Sequence, residues 1–362
     1  MEKLSTVLNY TQPTNYIVKD EVYNDEYSIP VLTAGKSFLL GYTNEKKGIF
    51  TDIPTIIFDD FTTSFHYVDF PFKVKSSAMK MLTPKRNDVH LKYVYYQMLG
   101  KKVDTRRHKR YWISQFSKLK IPLPPLPVQE KIASILDDAA ALRDKTEQLL
   151  TEYDLLAQSI FLEMFGDPGV NSKKWQLIKI KDISNIDKKV VKPEDIRSGE
   201  RHIGLDSIEK DTGEIVNVEI VEAGSIKSNK YFFTENHILY GRLRPYLNKV
   251  ANPDFSGICS TDIITLLPKK SKTNKEFLTL FLRGDWHLNW ANLNTTGANL
   301  PRLNLKAFSD YEIPVPPLDL QNQFAEKVQL IERQKEIVRQ ELKESEDLFQ
   351  ALLQQAFKGE LV

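Results

Sequence analysis

Two copies of one sequence pattern decide how this chain is organised: Ile121-Pro-Leu-Pro-Pro-Leu-Pro-Val-Gln129 and Ile313-Pro-Val-Pro-Pro-Leu-Asp-Leu-Gln321. Each copy opens a long run without Gly or Pro, which ends at Gly166 in the first copy and at Gly359 in the second. The two copies match without a gap at an offset of 192 residues. An internal repeat with so long a period indicates duplicated domains rather than a solenoid.

Both runs predict a long helix with a coiled-coil seam. Steps of four and three residues from Ile132 and from Phe324 fall mostly on apolar or Ala side chains, as in the a and d positions of a heptad repeat. The same seam position is basic in both copies, Arg143 and Lys335, and we interpret this pair as a device that fixes the register. The predicted apolar seam consists of Ile132, Leu136, Leu150, Ile160, Val328, Ile331, Val338, Leu342, Phe349 and Leu352. Two equal seams favour pairing with each other; the alternative is two amphipathic helices that each pack on their own domain.

The composition indicates a soluble protein of several domains. The 362 residues leave room for two or three domains that each bury a core. The single cysteine, Cys259, excludes an internal disulfide framework and fits a reducing cytoplasm. No apolar run has membrane-spanning length, and the first residues lack the apolar core of a signal peptide. We therefore expect a cytoplasmic protein with no membrane partner.

Charge is divided unevenly along the chain. Residues 1–120 carry 19 Lys and Arg against 12 Asp and Glu, and residues 168–312 carry 22 against 18. The two segments with the predicted helices are acidic, with 3 basic against 9 acidic residues in 121–167 and 6 against 9 in 313–362. This division predicts a polyanion, such as double-stranded DNA, as the partner of the globular domains and protein as the partner of the helices.

The first predicted domain, residues 1–120, contains short β-branched and aromatic runs typical of strands, and one helix from His90 to Leu99. Six Lys and Arg lie within residues 101–110, a composition suited to phosphate contacts, and a glycine-bounded loop or hairpin at 35–48 is also basic. The candidate DNA contacts here are Lys36, Tyr42, Lys46, Lys47, Arg106, Arg107, Lys109, Arg110 and Tyr111. A solvated loop remains the alternative for such a charge run.

The second predicted domain, residues 168–312, begins where Gly166 and Pro168 end the first helix. Strands are predicted at 175–180 and 261–267, and a helix at 275–290. A strand and a glycine precede a basic loop, and arginine forks in such a loop match guanine edges or phosphates. The candidate DNA contacts are Arg242, Arg244, Tyr246 and Lys249, with Thr295, Thr296 and Arg302 in a later polar loop. Strand-edge or interdomain salt bridges are the alternative for the arginines.

Motifs of enzymes are weak in this sequence. The segment 34–37, Ala-Gly-Lys-Ser, resembles the end of a Walker loop, but Pro30 stands where the first glycine belongs. The segment 252–255, Asn-Pro-Asp-Phe, resembles an amino-methyltransferase signature, but its third residue departs from that pattern and no glycine-rich cofactor loop accompanies it. The six histidines do not cluster with Cys259 at metal-ligand spacing. We expect no catalytic residue, no metal site and no cofactor in this chain.

The doubled unit of a β-rich domain, a Pro-Pro-Leu-x-x-Gln stretch and a long helix resembles the specificity subunit of type I restriction–modification enzymes. The resemblance covers essentially the whole chain. It departs in two places: Trp175 has no counterpart early in the first domain, and Asp319 stands where the first copy has Pro127. The most similar stretches are Ile29-Pro-Val-Leu-Thr-Ala-Gly35, Gly41-Tyr-Thr43, Gly241-Arg-Leu-Arg-Pro-Tyr-Leu247, Gly257-Ile-Cys-Ser-Thr-Asp262 and Thr296-Gly-Ala-Asn-Leu-Pro-Arg-Leu303.

The resemblance implies an α+β fold in which two β-rich target-recognition domains alternate with two long helices that pair as an antiparallel coiled coil, with pseudo-two-fold symmetry. Each domain would read one half of a bipartite, asymmetric DNA site, and the helices would set the spacer. Two methyltransferase subunits would dock on this chain and hold S-adenosylmethionine. A restriction subunit using ATP and Mg²⁺ would join them. This chain would then supply specificity without catalysis.

Two other classes of protein remain as alternatives. One is a stand-alone DNA-binding or architectural protein, which would bind a specific site tightly without partners. The other is a self-contained nuclease or methyltransferase, which would show magnesium- or S-adenosylmethionine-dependent activity by itself. The duplicated acidic helices favour the subunit, because a paired-helix scaffold has no evident use in either alternative.

Overall fold

The structure is a computed structural model that describes residues 1–35, 37–101, 103 and 110–362. It forms two compact units, which we call unit 1 (Met1–Glu147 with Gln340–Val362) and unit 2 (residues 148–339). Each unit combines a globular part, mixed in helix and sheet, with one end of each of two long helices. The predicted α+β fold is confirmed, and none of the helices in the described residues is long and apolar enough to cross a membrane.

The elements are numbered in chain order. The strands of unit 1 are β1 (Glu2–Lys3), β2 (Leu8–Thr11), β3 (Ile29–Leu32), β4 (Leu39–Thr43), β5 (Thr55–Asp59), β6 (Phe65–Val68), β7 (Lys73–Val74), β8 (Met79–Pro84) and β9 (Lys120–Ile121). The strands of unit 2 are β10 (Gln176–Lys179), β11 (Ser184–Asp187), β12 (Val190–Val191), β13 (Glu200–Ile203), β14 (Glu219–Val221), β15 (Lys230–Phe233), β16 (Ile238–Gly241), β17 (Val250–Ala251), β18 (Gly257–Cys259), β19 (Ile263–Pro268), β20 (Thr295–Thr296), β21 (Arg302–Leu303) and β22 (Glu312–Val315). The helices are α1 (Leu4–Val7), α2 (Leu91–Leu99), α3 (Tyr111–Ser114), α4 (Leu126–Phe165), α5 (Ile180–Ile183), α6 (Lys275–Arg283), α7 (Asp285–Leu293), α8 (Leu305–Asp310) and α9 (Leu318–Lys358).

The two units share one sheet topology. An antiparallel sheet has the order β2-β8-β5-β6 in unit 1 and β11-β19-β16-β17 in unit 2. A second sheet holds one parallel pair in each unit, β3 with β7 and β13 with β18. The strand that opens each globular part pairs antiparallel with the strand that closes it, β1 with β9 and β10 with β22. The duplication therefore extends through the globular parts, although their sequences show little mutual similarity.

The two long helices, α4 and α9, pack antiparallel within each unit. In unit 1, Leu136 near the start of α4 belongs to the same core as Phe349 and Leu353 near the end of α9. In unit 2, the ring of Phe161 near the end of α4 lies 5.6 Å from that of Phe324 near the start of α9. Of the predicted seam residues, Ile132, Leu136, Val328, Ile331, Val338 and Phe349 are buried, and Leu150, Ile160, Leu342 and Leu352 are half-buried.

The basic seam residues form matched ion pairs across the helices. In unit 1, Arg143 Nη1 lies 3.6 Å from Glu346 Oε2. In unit 2, Lys335 Nζ lies 2.7 Å from Asp154 Oδ1, and only 6 % of the Lys335 side chain is exposed. The two pairs are related by the sequence repeat, since the offset of 192 residues carries Arg143 to Lys335 and Asp154 to Glu346. A shifted register would leave a buried ammonium without its carboxylate, which supports the interpretation of these residues as a register device.

In unit 1, a buried glutamine attaches the start of α4 to the globular part. The Gln129 amide donates to the carbonyls of Pro124 (2.7 Å) and Asp88 (2.9 Å). Its oxygen accepts the backbone N–H of His90, the N-cap residue of α2, at 2.9 Å. A buried amide left without these partners would cost about 1–3 kcal/mol, so the contact fixes the helix against the domain.

In unit 2, Gln321 makes the equivalent attachment at the start of α9. Its amide donates to the Pro316 carbonyl at 2.8 Å. Its oxygen accepts the hydroxyl of Thr273 (2.9 Å) and the backbone N–H of Asn274, the N-cap residue of α6, at 3.1 Å. The glutamine of the repeated sequence pattern therefore has a structural role in both units.

One predicted helix differs in the structure. The sequence predicts a single helix at 275–290, but Gly284 divides it into α6 and α7. At Gly284 a β-carbon would lie 2.2 Å from the indole of Trp286, so this close contact requires glycine. The break turns α7 so that His287 is fully buried, where its ring hydrogen-bonds to the Tyr240 hydroxyl at 3.1 Å. Burial lowers the pKa of His287 to about 3.

We expect replacement of Lys335 by Glu to lower the free energy of unfolding by about 3 kcal/mol, because it places a third carboxylate beside Asp154 and Glu332. The double variant Lys335→Glu with Asp154→Lys should recover most of this loss. Urea unfolding followed by circular dichroism measures both. Lys327→Glu, an exposed change on the same helix, is the control, and an equal loss in this control would contradict the role of the seam pair.

We also expect the free energy of unfolding to fall on acidification because His287 is buried in its neutral form. The unfolded chain takes up a proton below the ordinary histidine pKa of about 6.5, whereas folded His287 stays neutral down to a pKa of about 3. Stability is therefore fully present above pH 6.5 and is lost toward pH 3, by on the order of 1.4 kcal/mol per pH unit. Urea unfolding at several pH values measures this loss. The slope of the free energy of unfolding against pH should be shallower for His287→Phe than for the unmodified protein. Equal slopes would contradict the prediction.

Candidate nucleic-acid interface

The register of the antiparallel sheet in unit 2 brings two chain segments to one edge. Strands β11 and β16 flank β19 and both run antiparallel to it, with Asp187 opposite Thr265 and Gly241 opposite Ile263. The residues that follow both strands therefore leave the sheet at the same edge. The predicted basic loop that begins at Arg242 starts there.

Neighbouring strands hold the beginning of this loop by main-chain hydrogen bonds. The Arg242 amide donates to the Asp262 carbonyl at 2.9 Å, and the Leu303 amide donates to the Arg242 carbonyl at 2.9 Å. The Arg244 amide donates to the Pro301 carbonyl at 2.7 Å, and Arg244 has a left-handed conformation with φ of 52°. This fixed backbone leaves the side chain of Arg244 exposed. A backbone held in this way suits a side chain that must contact a base edge or a phosphate in one geometry.

The structure places the other predicted contacts of this domain in different environments. Tyr246 is 52 % exposed and Arg242 is half-buried at the same edge. Lys249 donates from Nζ to the Leu205 carbonyl at 2.6 Å, which gives it an internal role. Thr295 and Thr296 lie on β20, which pairs with β21, and their hydroxyls donate to nearby main-chain carbonyls.

Arg302 forms an internal ion pair at this edge. Its Nε and Nη2 donate to the two carboxylate oxygens of Asp262 at 2.8 and 3.1 Å. The hydrogen bond from Arg302 lowers the pKa of Asp262. The strand-edge salt bridge that the sequence left open is therefore present for Arg302. Its guanidinium holds the β20–β21 hairpin beside the loop instead of pointing freely into solvent.

The same sheet edge in unit 1 anchors the predicted basic segment. Strand β5 ends at Asp59, and the carbonyl of Asp60 accepts the Tyr111 amide at 3.0 Å. The Asp60 carboxylate accepts the Trp112 amide at 2.8 Å and lies 3.1 Å from Lys80 Nζ, in a pair that is almost fully buried. A buried ion pair thus fixes the sheet edge against the start of α3, next to Arg110.

The candidate contacts of the basic segment have mixed outcomes. Arg106, Arg107 and Lys109, together with Lys36, lie outside the described residues. Arg110 is exposed at the start of α3. Tyr111 was a wrong prediction, because its side chain is 1 % exposed and belongs to the interior rather than to a DNA-facing surface.

A second basic loop of unit 1 is braced from inside. Lys46 and Lys47 are exposed. Buried Lys73 donates to the carbonyls of Lys47 (2.7 Å) and Gly48 (3.1 Å), and its Nζ lies 3.0 Å from Glu45 Oε2. Tyr42 is half-buried on β4 and lines an apolar cavity of about 580 Å³. The exposed lysine pair therefore sits on a rigid loop.

Sequence reasoning missed the residues that position these contacts: Asp262, Asp60 and Lys73. One signal was available. The repeat at 192 residues continues backward beyond the proline motif, since Arg110 corresponds to Arg302. In the structure, the amides of the following residues make equivalent hydrogen bonds, since Tyr111 donates to the Asp60 carbonyl and Leu303 to the Arg242 carbonyl. Asp262, Asp60 and Lys73 themselves lie in no local sequence motif.

Two observations describe the reactive side chains in the described part of the chain. Within those residues no group of His, Cys, Asp and Glu has the arrangement of a metal site. Burial raises the pKa of the Cys259 thiol to about 12, so this side chain is a poor nucleophile. Exposed arginine, lysine and tyrosine side chains on fixed backbones are groups that bind phosphates and base edges.

The fold defines a duplicated α+β protein, and the exposed Arg244 and Tyr246 beside the sheet edge of unit 2 are groups that bind nucleic acid. The family model described as the type I restriction modification DNA specificity domain matches residues 2–152 and 172–346. These two matches cover most of the chain, which therefore belongs to this family.

Individual relatives agree with the family. The specificity subunit of the type I restriction enzyme EcoR124I/EcoR124II of Escherichia coli is 49% identical over 164 residues, 42% of this chain and 40% of that protein. The EcoDI specificity subunit of Escherichia coli is 29% identical over 194 residues, 52% of this chain and 42% of that protein. This chain thus spans about two-fifths of the length of each of these relatives.

A solved structure is similar to this fold over nearly its full length. The crystal structure of the S subunit of a type I restriction-modification system from M. genitalium has a TM-score of 0.53 and 17% sequence identity. The match covers 98% of this chain and 95% of that one. At this identity the similarity supports the fold.

We expect the Asp262–Arg302 pair to couple by about 0.5–1 kcal/mol, because it is bidentate but partly exposed. A double-mutant cycle of Asp262→Asn and Arg302→Gln, read by urea unfolding, measures this coupling. Lys210 and Asp211, an exposed pair of the same unit at 3.8 Å, provide the control cycle. Additive losses at Asp262 and Arg302 would contradict a positioning role for the pair.

Proposed function

We propose that this chain is the DNA-recognition subunit of a type I restriction–modification complex, in which each unit reads one half of a bipartite, asymmetric site. Family membership supports the complex. The observation that supports DNA recognition is the loop of Arg242, Arg244 and Tyr246, whose backbone is held by hydrogen bonds at a sheet edge. Arginine at such a position recognises guanine or phosphate by paired hydrogen bonds.

Different half-sites follow from the different chemistry of the two equivalent sheet edges. Arg242 in unit 2 and Asp60 in unit 1 occupy equivalent positions. The backbone carbonyl of each accepts the equivalent amide, and the backbone amide of each donates to the carbonyl of the residue before the neighbouring strand. Their partners across the edge also differ, Asp262 in one unit and Ala78 in the other. Asp60 is buried in its pair with Lys80, whereas Arg242 is half-buried beside exposed Arg244. The equivalent positions therefore differ in chemistry, which suits two unlike DNA sequences.

The long helices are the proposed docking surface for protein partners. In unit 2 they expose apolar side chains away from the seam, each between 43 and 59 % exposed: Leu155, Leu156, Leu162, Leu330 and Ile337. Exposed apolar surface of this extent on an acidic helix pair favours a protein partner over DNA. We propose that two methyltransferase subunits bind here and that the helix length sets the unread spacer.

In this proposal the chemistry belongs to the partner subunits, and this chain is not an enzyme. The methyltransferase subunits hold S-adenosylmethionine and methylate adenine, and restriction subunits, where present, use ATP and Mg²⁺. A stand-alone DNA-binding protein is the competing class. Exposed leucines on both long helices favour the subunit, because a protein that acts alone gains nothing from them.

Co-expression with the products of the neighbouring genes tests the proposal. We expect a complex of one copy of this chain with two methyltransferase subunits by native mass determination. Methylation mapping of the host genome should then show adenine methylation at a split, asymmetric motif. A chain that remains alone, in a genome without such a motif, would reject the subunit and favour the stand-alone protein.

Substitution of the arginine loop tests the proposed reading surface. We expect Arg242→Gln and Arg244→Gln each to weaken binding to the mapped motif by about 1–3 kcal/mol and to relax one position of the motif in unit 2's half-site. Competition binding with duplexes that vary one base pair at a time measures both effects. Arg333→Gln, an exposed change on α9, should alter neither. Unchanged affinity and specificity in the loop variants would exclude this surface.

A further inference from the structure

A lysine segment leaves the sheet of unit 2 at the same edge as the arginine loop. Strand β11 ends opposite Thr265 and β16 ends opposite Ile263, so the next residues of the two strands, Lys188 and Arg242, emerge on either side of β19. Two strand spacings, about 10 Å, separate them across the sheet, and two residues, about 7 Å, separate them along it. The topology therefore places Lys188 beside the proposed reading surface, although 54 residues separate it from Arg242 in sequence.

A small cleft connects the two segments. Asp187, Lys188 and Tyr231 line one part of it, and Arg242 and Thr261 line another. The surface is therefore continuous from the lysine segment to the arginine loop. The Asp187 carboxylate in this cleft is already engaged, because it accepts the Lys189 amide at 3.2 Å and lies 3.4 Å from His237 Nε2.

The lysines flank an edge strand. Strand β12 pairs with β15 and lies at the outer end of its sheet. Lys188, Lys189 and Lys192 flank it and are exposed. The Nζ of Lys189 lies 4.5 Å above the ring of Phe232, which limits its freedom. Lys192 is 4.0 Å from Glu194, but both side chains are more than 60 % exposed, so water and salt screen that pair.

We propose that Lys188, Lys189 and Lys192 form a phosphate-binding strip that grips the backbone of double-stranded DNA next to the base pairs that the arginine loop reads. Three ammonium groups within five residues place a cluster of positive charge beside the cleft. Lysine binds phosphate by charge without demanding one angle, whereas arginine is suited to paired hydrogen bonds with a base edge. Phosphate contacts of this kind fix the position of the protein on the duplex and carry no sequence information.

The strip therefore has a different task from the arginine loop. It would supply affinity and register, and Arg242, Arg244 and Tyr246 would supply discrimination. This inference rests on the proposed function in DNA recognition and names an additional part of the same interface.

The test compares salt dependence in matched variants of the full chain within its complex. The strip variant is Lys188→Gln with Lys189→Gln and Lys192→Gln. The control variant removes the same charge from Lys173, Lys270 and Lys272, exposed lysines in turns near the ends of the long helices. Fluorescence anisotropy measures binding to a duplex with the mapped motif and to a scrambled duplex of equal length, over a range of NaCl concentrations.

We expect the strip variant to weaken binding to both duplexes by the same factor, to lower the slope of log K against log salt by about 0.9 per lost contact, and to leave the motif unchanged. The control variant should keep the slope of the unmodified protein. Circular dichroism of both variants confirms that they fold.

Two results would overturn the inference. One is a slope in the strip variant equal to that of the control, and the other is an altered recognition motif, which would make the lysines readers of sequence. Failure of the proposed function looks different: the unmodified complex would then show no preference for any motif over the scrambled duplex. If the preference exists and depends on Arg242 but not on the lysines, only the strip is rejected.

Discussion

The ion pairs of two basic residues in the helix seam, buried Lys335 and half-buried Arg143, constrain how the long helices align. Lys335 and Arg143 could each have been an apolar residue without loss of helix, yet each meets a carboxylate that the repeat supplies from the other helix. A purely apolar seam tolerates a slip by one heptad, whereas a slip here strands an ammonium group in an apolar interface. The antiparallel alignment of α4 and α9 in each unit, and with it the place where each globular part is attached, depends on this pairing.

Much of the architecture could be predicted because it is periodic. The heptad pattern and the repeat at 192 residues are properties of sequence spacing, and they predicted both long helices and their buried residues. The break at Gly284 was not predictable in the same way. The break falls where the indole of Trp286 occupies the space that a β-carbon would need, so residue 284 must be glycine. Such a contact has no periodic signature.

The candidate site was predicted less completely than the fold, for a physical reason. Sequence patterns identify which residues are basic, but whether a cation is available to a partner depends on what lies across the fold. Arg302 is held by Asp262, Lys249 by a carbonyl, and Lys73 lies inside the domain and braces a loop. Arg244 is exposed because its backbone is turned outward. Conversely, the sequence did not predict Lys188 as a DNA contact, because only the register of β11 against β19 brings it to the same edge as Arg242.

The attachment of each helix by a buried glutamine has an evolutionary consequence. In unit 1 Gln129 contacts only main-chain groups of the domain, and in unit 2 Gln321 adds one hydroxyl, that of Thr273. These hydrogen bonds depend on the path of the domain's backbone, and the other demand on the joint in unit 1 comes from buried side chains that pack against α4, such as Val94 and Met98. The surface of either domain is thus free to drift, or to be exchanged for a homologous domain by recombination, while the joint persists. Under the proposed function, exchange of one domain changes one half of the target and leaves the other half unchanged.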